Sequence, residues 1–112
     1  MSGKSTEARL PSEERFDQLV TLIRAGNYLA TACAYTGIGE STAHSWLSEA
    51  RGENPRPRVA EIASAITEAR AFAEAASLQV VTRAAHAGDW RAAAWMLERA
   101  FPGHWGPTSG SS

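Results

Sequence analysis

The chain is predicted to be all-α, on three observations. Apolar residues recur at helical spacing from Phe16 onward, and the stretch 59–87 contains neither Gly nor Pro. Gly26, Gly37, Gly52 and Gly88 fall where the periodic stretches stop. These divide the chain into a three-helix helix-turn-helix head followed by a long helical hairpin.

Residues 1–11 are polar, mixed in charge and without period, which predicts a flexible N-terminal arm. Ser12 is placed to cap the first helix, with Glu13 and Glu14 against its dipole. Phe16, Leu19, Val20 and Ile23 then follow the i, i+3, i+4, i+7 pattern of an amphipathic helix that Gly26 ends. Asn27 is placed to cap a short second helix over 28–36, which Gly37 stops. The third, over 40–51, buries Ala43, Trp46, Leu47 and Ala50 and ends at Gly52. The head is therefore 12–51, and "GENPRPR" (52–58) is a Pro/Arg linker that breaks any helix. Residues 59–105 form the hairpin. Its first helix, over 59–87, is roughly 44 Å long at ~1.5 Å per residue, too long to pack wholly against so small a head. Gly88 ends it, Asp89 caps a fifth helix that begins at Trp90 and reaches about Phe101, and Pro102 terminates that helix. The tail, 106–112, is flexible by composition.

With 112 residues the chain is one domain or two very small modules. A core this modest favours help from oligomerisation. A hydrophobic content of 44% excludes wholesale disorder. No stretch approaches the ~18 apolar residues of a membrane span, and no signal-peptide core follows Met1. The lone Cys33 cannot form an internal disulfide, and the combination predicts a cytoplasmic protein with no membrane partner. Cys33 reads as a buried thiol. His44, His86 and His104 lack metal-ligand spacing, and "GIG" lacks the Lys and the length of a phosphate loop. With no catalytic residue, metal site or cofactor motif, the expectation is a protein that is not an enzyme.

The segment "ATACAYTGIGESTAHSWL" meets the demands of a helix-turn-helix. Cys33 is the small residue at the helix crossing, Gly37 supplies the turn, Ile38 plugs it, and Ala43 and Trp46 anchor the recognition helix. A tight helical corner with no DNA-binding role fills the same slots. On this register Gly39, Glu40, Ser41, Thr42, His44 and Ser45 face outward. Hydroxyls and imidazole can hold phosphates or base edges, and a Glu can accept from cytosine N4. Arg51, Arg56 and Arg58 form the nearest positive cluster, beside the third helix and suited to phosphates. In the plainer alternative Ser41 and Thr42 are helix-start residues, Glu40 a dipole partner, and Arg56 and Arg58 solvated charges. The formal net charge is −1, and from Ser12 to Ala50 Arg15 and Arg24 face Glu13, Glu14, Asp17, Glu40 and Glu49. A single head is therefore expected to bind DNA weakly.

In the fifth helix Trp90, Ala94, Leu97 and Phe101 share one face, within about 60° of one another, with Trp90 as the expected core anchor. Trp95 lies about 140° away, between Arg91 and Arg99 as cation–π partners. The long helix is doubled too. Val59, Ile62, Ile66, Ala69, Ala73, Ala76 and Val80 make one stripe, while Leu78, Val81 and Ala85 make another. A two-helix hairpin covers one stripe per helix, so the second marks an association surface. The expected interface between copies comprises Ile62, Ile66, Phe72, Leu78, Val81, Arg91, Trp95 and Arg99. The alternative has the head covering Phe72, Trp95 and the second stripe.

Two stretches, "LIRAGNYLATACAYTGIGESTAHSWL" and "ARAFAEAASLQVVTRAAHAGDWRAAAWMLERAFPGHWG", resemble the small terminase subunits of tailed bacteriophages and cover more than half the chain. The Gly-Asp-Trp helix opening and Leu-Glu-Arg close carry most of the resemblance. It implies a helix-turn-helix that binds double-stranded viral DNA at its packaging start site and a helical region that assembles into a homo-oligomeric ring. It also implies recruitment and regulation of a large terminase subunit, which holds the ATPase and nuclease. The place of action would be the host cytoplasm and not the mature virion. The chain departs from that group in lacking a basic residue where His44 or Ser45 stands. Assembly offsets this by raising the effective concentration of several weak heads. After Trp105 the chain has no long tail, so docking of the large subunit on the C-terminal side falls to 101–106. The alternatives are a dimeric helix-turn-helix transcription regulator and an interaction adaptor that binds no DNA.

Overall fold

A computed structural model describes residues 8–105, Trp105 through its backbone alone. They form six helices with no strand among the described residues: α1 (Glu13–Arg24), α2 (Leu29–Thr36), α3 (Glu40–Arg51), α4 (Pro57–His86), α5 (Trp90–Ala100) and the single turn α6 (Pro102–Trp105). The protein is all-α, with the expected helical hairpin after the head. Of the expected arm only 8–11 are described; residues 1–7, the tail 106–112 and the side chain of Trp105 lie outside the described residues.

Local chemistry sets the helix ends. The Ser12 hydroxyl accepts from the Arg15 amide at 3.2 Å, as an N-cap should. Asn27, expected to cap α2, closes α1 instead. Its Nδ2 donates to the Leu22 carbonyl at 2.9 Å, and Tyr28 takes the N-cap position of α2. The end of α1 has unmatched carbonyls, and an amide side chain just past Gly26 reaches them. Gly37 adopts φ +80°, the left-handed conformation the turn requires.

Contacts divide the chain inside α4, between Ala73 and Glu74, and not at the Pro/Arg linker. The first unit has one core. Phe16, Leu19 and Ile23 of α1, Leu29, Ala32 and Cys33 of α2, Ile38 of the turn, and Ala43 and Trp46 of α3 meet Val59, Ile62, Ile66 and Ala69 of α4. The head is thus a four-helix body, and the first half of α4 is its fourth member. Ile62 and Ile66, assigned to the interface between copies, are 0% exposed within this core and unavailable to a partner. A three-helix head of this length leaves one side of α1 and α3 uncovered. The stripe at 59, 62, 66 and 69 closes that side before the second unit begins. The linker shortens to 52–56, because Pro57 already occupies the first helical position, where proline needs no amide hydrogen.

Residues 8–11 are held in place. The Trp46 ring is buried, yet its indole N–H needs an acceptor, and it donates to the Arg9 carbonyl at 3.0 Å. Arg56 Nη2 donates to the Ala8 carbonyl, also at 3.0 Å. The final residues of the expected arm are therefore part of the head.

The second unit is built differently. The Asp89 carboxylate caps α5, accepting from the Arg91 amide at 2.9 Å and the Ala92 amide at 3.4 Å. Gly88 turns the chain at φ +103°. None of its described residues is buried. Trp90, the expected core anchor, is 72% exposed, whereas Trp95 is 38% exposed. Trp90 is the first residue of α5, at the turn, and the Arg91 guanidinium lies 5.8 Å from its ring.

Ile62→Ala is expected to destabilise the head by about 2–5 kcal/mol, read as a lower urea midpoint, because it opens a cavity in a closed core. An unchanged midpoint with a change only in particle mass would return Ile62 to the interface between copies.

Candidate nucleic-acid interface

Each helix-turn-helix slot behaves as its residue type demands. Cys33, Ile38, Ala43 and Trp46 are buried, and the Gly37 and Ile38 amides both donate to the Cys33 carbonyl, at 2.9 and 3.1 Å. Thr36, the buried polar residue beside the turn, satisfies its hydroxyl on the Ala32 and Cys33 carbonyls at 2.9 and 3.2 Å. Burial pushes the Cys33 thiol up, and the Glu40 carboxylate adds to that shift. This thiol is inert filling for a tight helix crossing.

With Ala43 and Trp46 turned inward, α3 presents Gly39, Glu40, Ser41, His44, Ser45 and Arg51 to solvent. Thr42 is half-buried and sits over the N-cap: its Oγ1 is 3.3 Å from where a Cβ on Gly39 would stand. His44 Nε2 meets Glu40 Oε2 at 3.4 Å, one turn back on the helix. Imidazole and carboxylate thus pair along the exposed face of α3. Arg51 is exposed and forms no ion pair among the described residues.

The two linker arginines have other work. Arg56 grips Glu49 through two nitrogens, Nη2 to Oε1 at 2.8 Å and Nε to Oε2 at 3.0 Å, while its own amide donates to the same carboxylate at 2.9 Å. Hydrogen bonds from the Arg56 side chain and backbone hold the Glu49 carboxyl down, from its ordinary 4.5 to about 2. Arg58 bridges Glu13 at 2.8 Å and Glu61 at 3.1 Å, and lies over the Phe16 ring at 5.0 Å. Both were expected to hold phosphate. Both instead tie α1, α3 and α4 together, and their charge is matched locally.

The cations that remain near the turn are ones the residue pattern did not single out. Arg9 and Arg15 are exposed and line a cleft of about 590 Å³ together with Ile38, Gly39 and Thr42. Arg15 faces off the Phe16–Leu19–Ile23 stripe, and its position on that helix was the available signal. Arg9 is placed only by the hydrogen bond from Trp46, which no spacing announces.

The remaining expected interface residues stay at the surface. Phe72, in the first unit, is half-exposed beneath the Arg24 guanidinium at 3.8 Å. In the second unit Leu78 is exposed and Val81 half-buried. Arg99 lies over the Trp95 ring at 4.8 Å as expected, but Arg91 turns to Trp90 at 5.8 Å. Arg91 and Trp90 are consecutive at the start of α5, so the guanidinium covers the nearer indole. Among the described residues no group of three His, Cys, Asp or Glu is placed to hold a metal ion, and no helix is long and apolar enough to cross a membrane.

Comparison of the chain with protein-family models, with curated proteins and with solved structures finds no match.

Because the Glu49 carboxyl titrates lower when folded, the Arg56 clamp contributes its full stability above pH 4.5 and loses it as the pH falls toward 2. The melting temperatures of wild type and Glu49→Gln should therefore differ most above pH 4.5 and converge toward pH 2. A gap that does not change with pH contradicts this.

Proposed function

We propose that the chain is a DNA-recognition subunit that works as a homo-oligomer, with a role like that of the small terminase subunit of a tailed bacteriophage. On this reading α3 lies against duplex viral DNA at the packaging start site. The assembled hairpins carry several heads in one ring, and the ring recruits and regulates the large ATPase–nuclease subunit.

One observation carries the proposal: a complete helix-turn-helix is joined to a helical hairpin in which no described residue beyond Ala73 is buried. Leu78, Val80, Trp90, Trp95, Leu97 and Phe101 are all exposed on that hairpin. Apolar surface of this kind marks association, and a second copy of the chain supplies a complementary set. The head supports DNA in a complementary way. Its exposed helix carries hydroxyls, an imidazole and one unpaired guanidinium, which suit phosphate and base-edge contacts without strong affinity. Several such heads on one particle compensate by avidity.

Mass by light scattering should give a large homo-oligomer, and Trp95→Ala and Leu78→Ala should each lower that mass while the helix content of the head persists. Fluorescence anisotropy should show duplex binding at low salt that weakens as salt rises. A monomer at micromolar concentration rejects the assembly. A dimer protecting a palindrome points to a transcription regulator. Absence of duplex binding at low salt leaves an adaptor.

A further inference from the structure

The head carries more acid than base, so the location of its uncommitted positive charge decides how it touches a polyanion. Arg56 and Arg58 are neutralised by Glu49, Glu13 and Glu61. Arg9 and Arg15 form no ion pair or side-chain hydrogen bond among the described residues, and both residues line one concave surface. That cleft, about 590 Å³, has ample room for a phosphodiester and its two flanking sugars.

Its construction is not incidental. Trp46 holds the Arg9 carbonyl at 3.0 Å, which brings the Arg9 backbone onto α3. The Arg15 guanidinium lies against the turn, its Nη1 3.7 Å from where a Cβ on Gly37 would stand. Gly39 and Thr42 belong both to the cleft wall and to the residues expected to face DNA. The cleft therefore adjoins the start of the proposed reading face, where a duplex lying along α3 brings its backbone.

We infer that this cleft is a phosphate clamp, in which Arg9 and Arg15 hold the DNA backbone beside α3 and so set its register. The inference rests on the DNA-binding reading above and assigns its main electrostatic contact. Backbone contacts of this kind carry no sequence information, so their loss weakens binding alike on every duplex.

The test is a salt titration of duplex binding by the full chain, comparing wild type, Arg9→Gln with Arg15→Gln, and the exposed control Arg70→Gln. Melting curves check that each variant folds. The double variant should bind roughly tenfold more weakly at low salt, equally on unrelated sequences. The slope of log affinity against log salt should shrink by about 0.9 for each phosphate released per head, while Arg70→Gln keeps the wild-type slope. An unchanged slope in a double variant that still binds overturns the clamp and leaves the DNA reading intact. An unchanged slope with a fall in particle mass overturns it by assigning the arginines to a contact between copies, for which the groove bearing Glu14, Asp17 and Tyr35 is a charge-matched receptor. Wild type that binds no duplex overturns both.

Discussion

One uninterrupted helix serves two parts of this protein, and the rest of the structure follows from how it divides its apolar residues. Over 57–86, α4 contains no residue that breaks a helix after its first position. Its buried residues, Val59, Ile62, Ala63, Ile66 and Ala69, all lie in the first half and close the head. From Glu74 onward no described residue is buried, although Leu78, Val80 and Val81 continue along the same helix. Helical propensity suits Ala-rich sequence of this kind, but isolated helices gain most of their stability from packing. The head has that packing within one chain. The hairpin does not.

The same economy governs charge in the head. Glu13, Glu49 and Glu61 are matched by Arg56 and Arg58, and those ion pairs hold helix to helix. They also neutralise cations that a simple count of charges would leave free. Arg9, Arg15 and Arg51 form no ion pair among the described residues, and they lie around α3, at its start and at its end. On the proposed function, a single head with so few free cations binds a polyanion weakly, and avidity between heads offsets that.

Much of the head was legible in the residues. The boundaries of the five expected helices fall close to where Gly, Pro and the caps place them, and the five helix-turn-helix slots hold the burial and turn geometry their chemistry demands. Those features depend on local backbone preferences and on periodicity. The differences have another cause, since they depend on partners that helical spacing does not reveal. Ile62 and Ile66 have helical spacing that suits any apolar partner, and only the tertiary fold shows that the partner is the head. Arg56 and Arg58 look like free basic residues until Glu49, seven positions away, and Glu13, forty-five positions away, are brought beside them. Arg9 has the composition of an arm, and nothing near it in sequence reveals that Trp46 donates to its carbonyl. Trp90 was read as core because its angle on α5 matches Leu97, but an angle specifies a face and not what covers it.

The proposed assembly requires that the head be complete within one chain while the hairpin gains its packing from other copies. Hydrogen exchange followed over a wide range of protein concentration tests it most directly. Amides of α1, α2, α3 and the first half of α4 should keep the same protection at every concentration. Those of α5 and the last turns of α4 should be poorly protected in dilute protein and become protected as copies associate. Hairpin amides that are as strongly protected as the head in a dilute monomer would contradict the account.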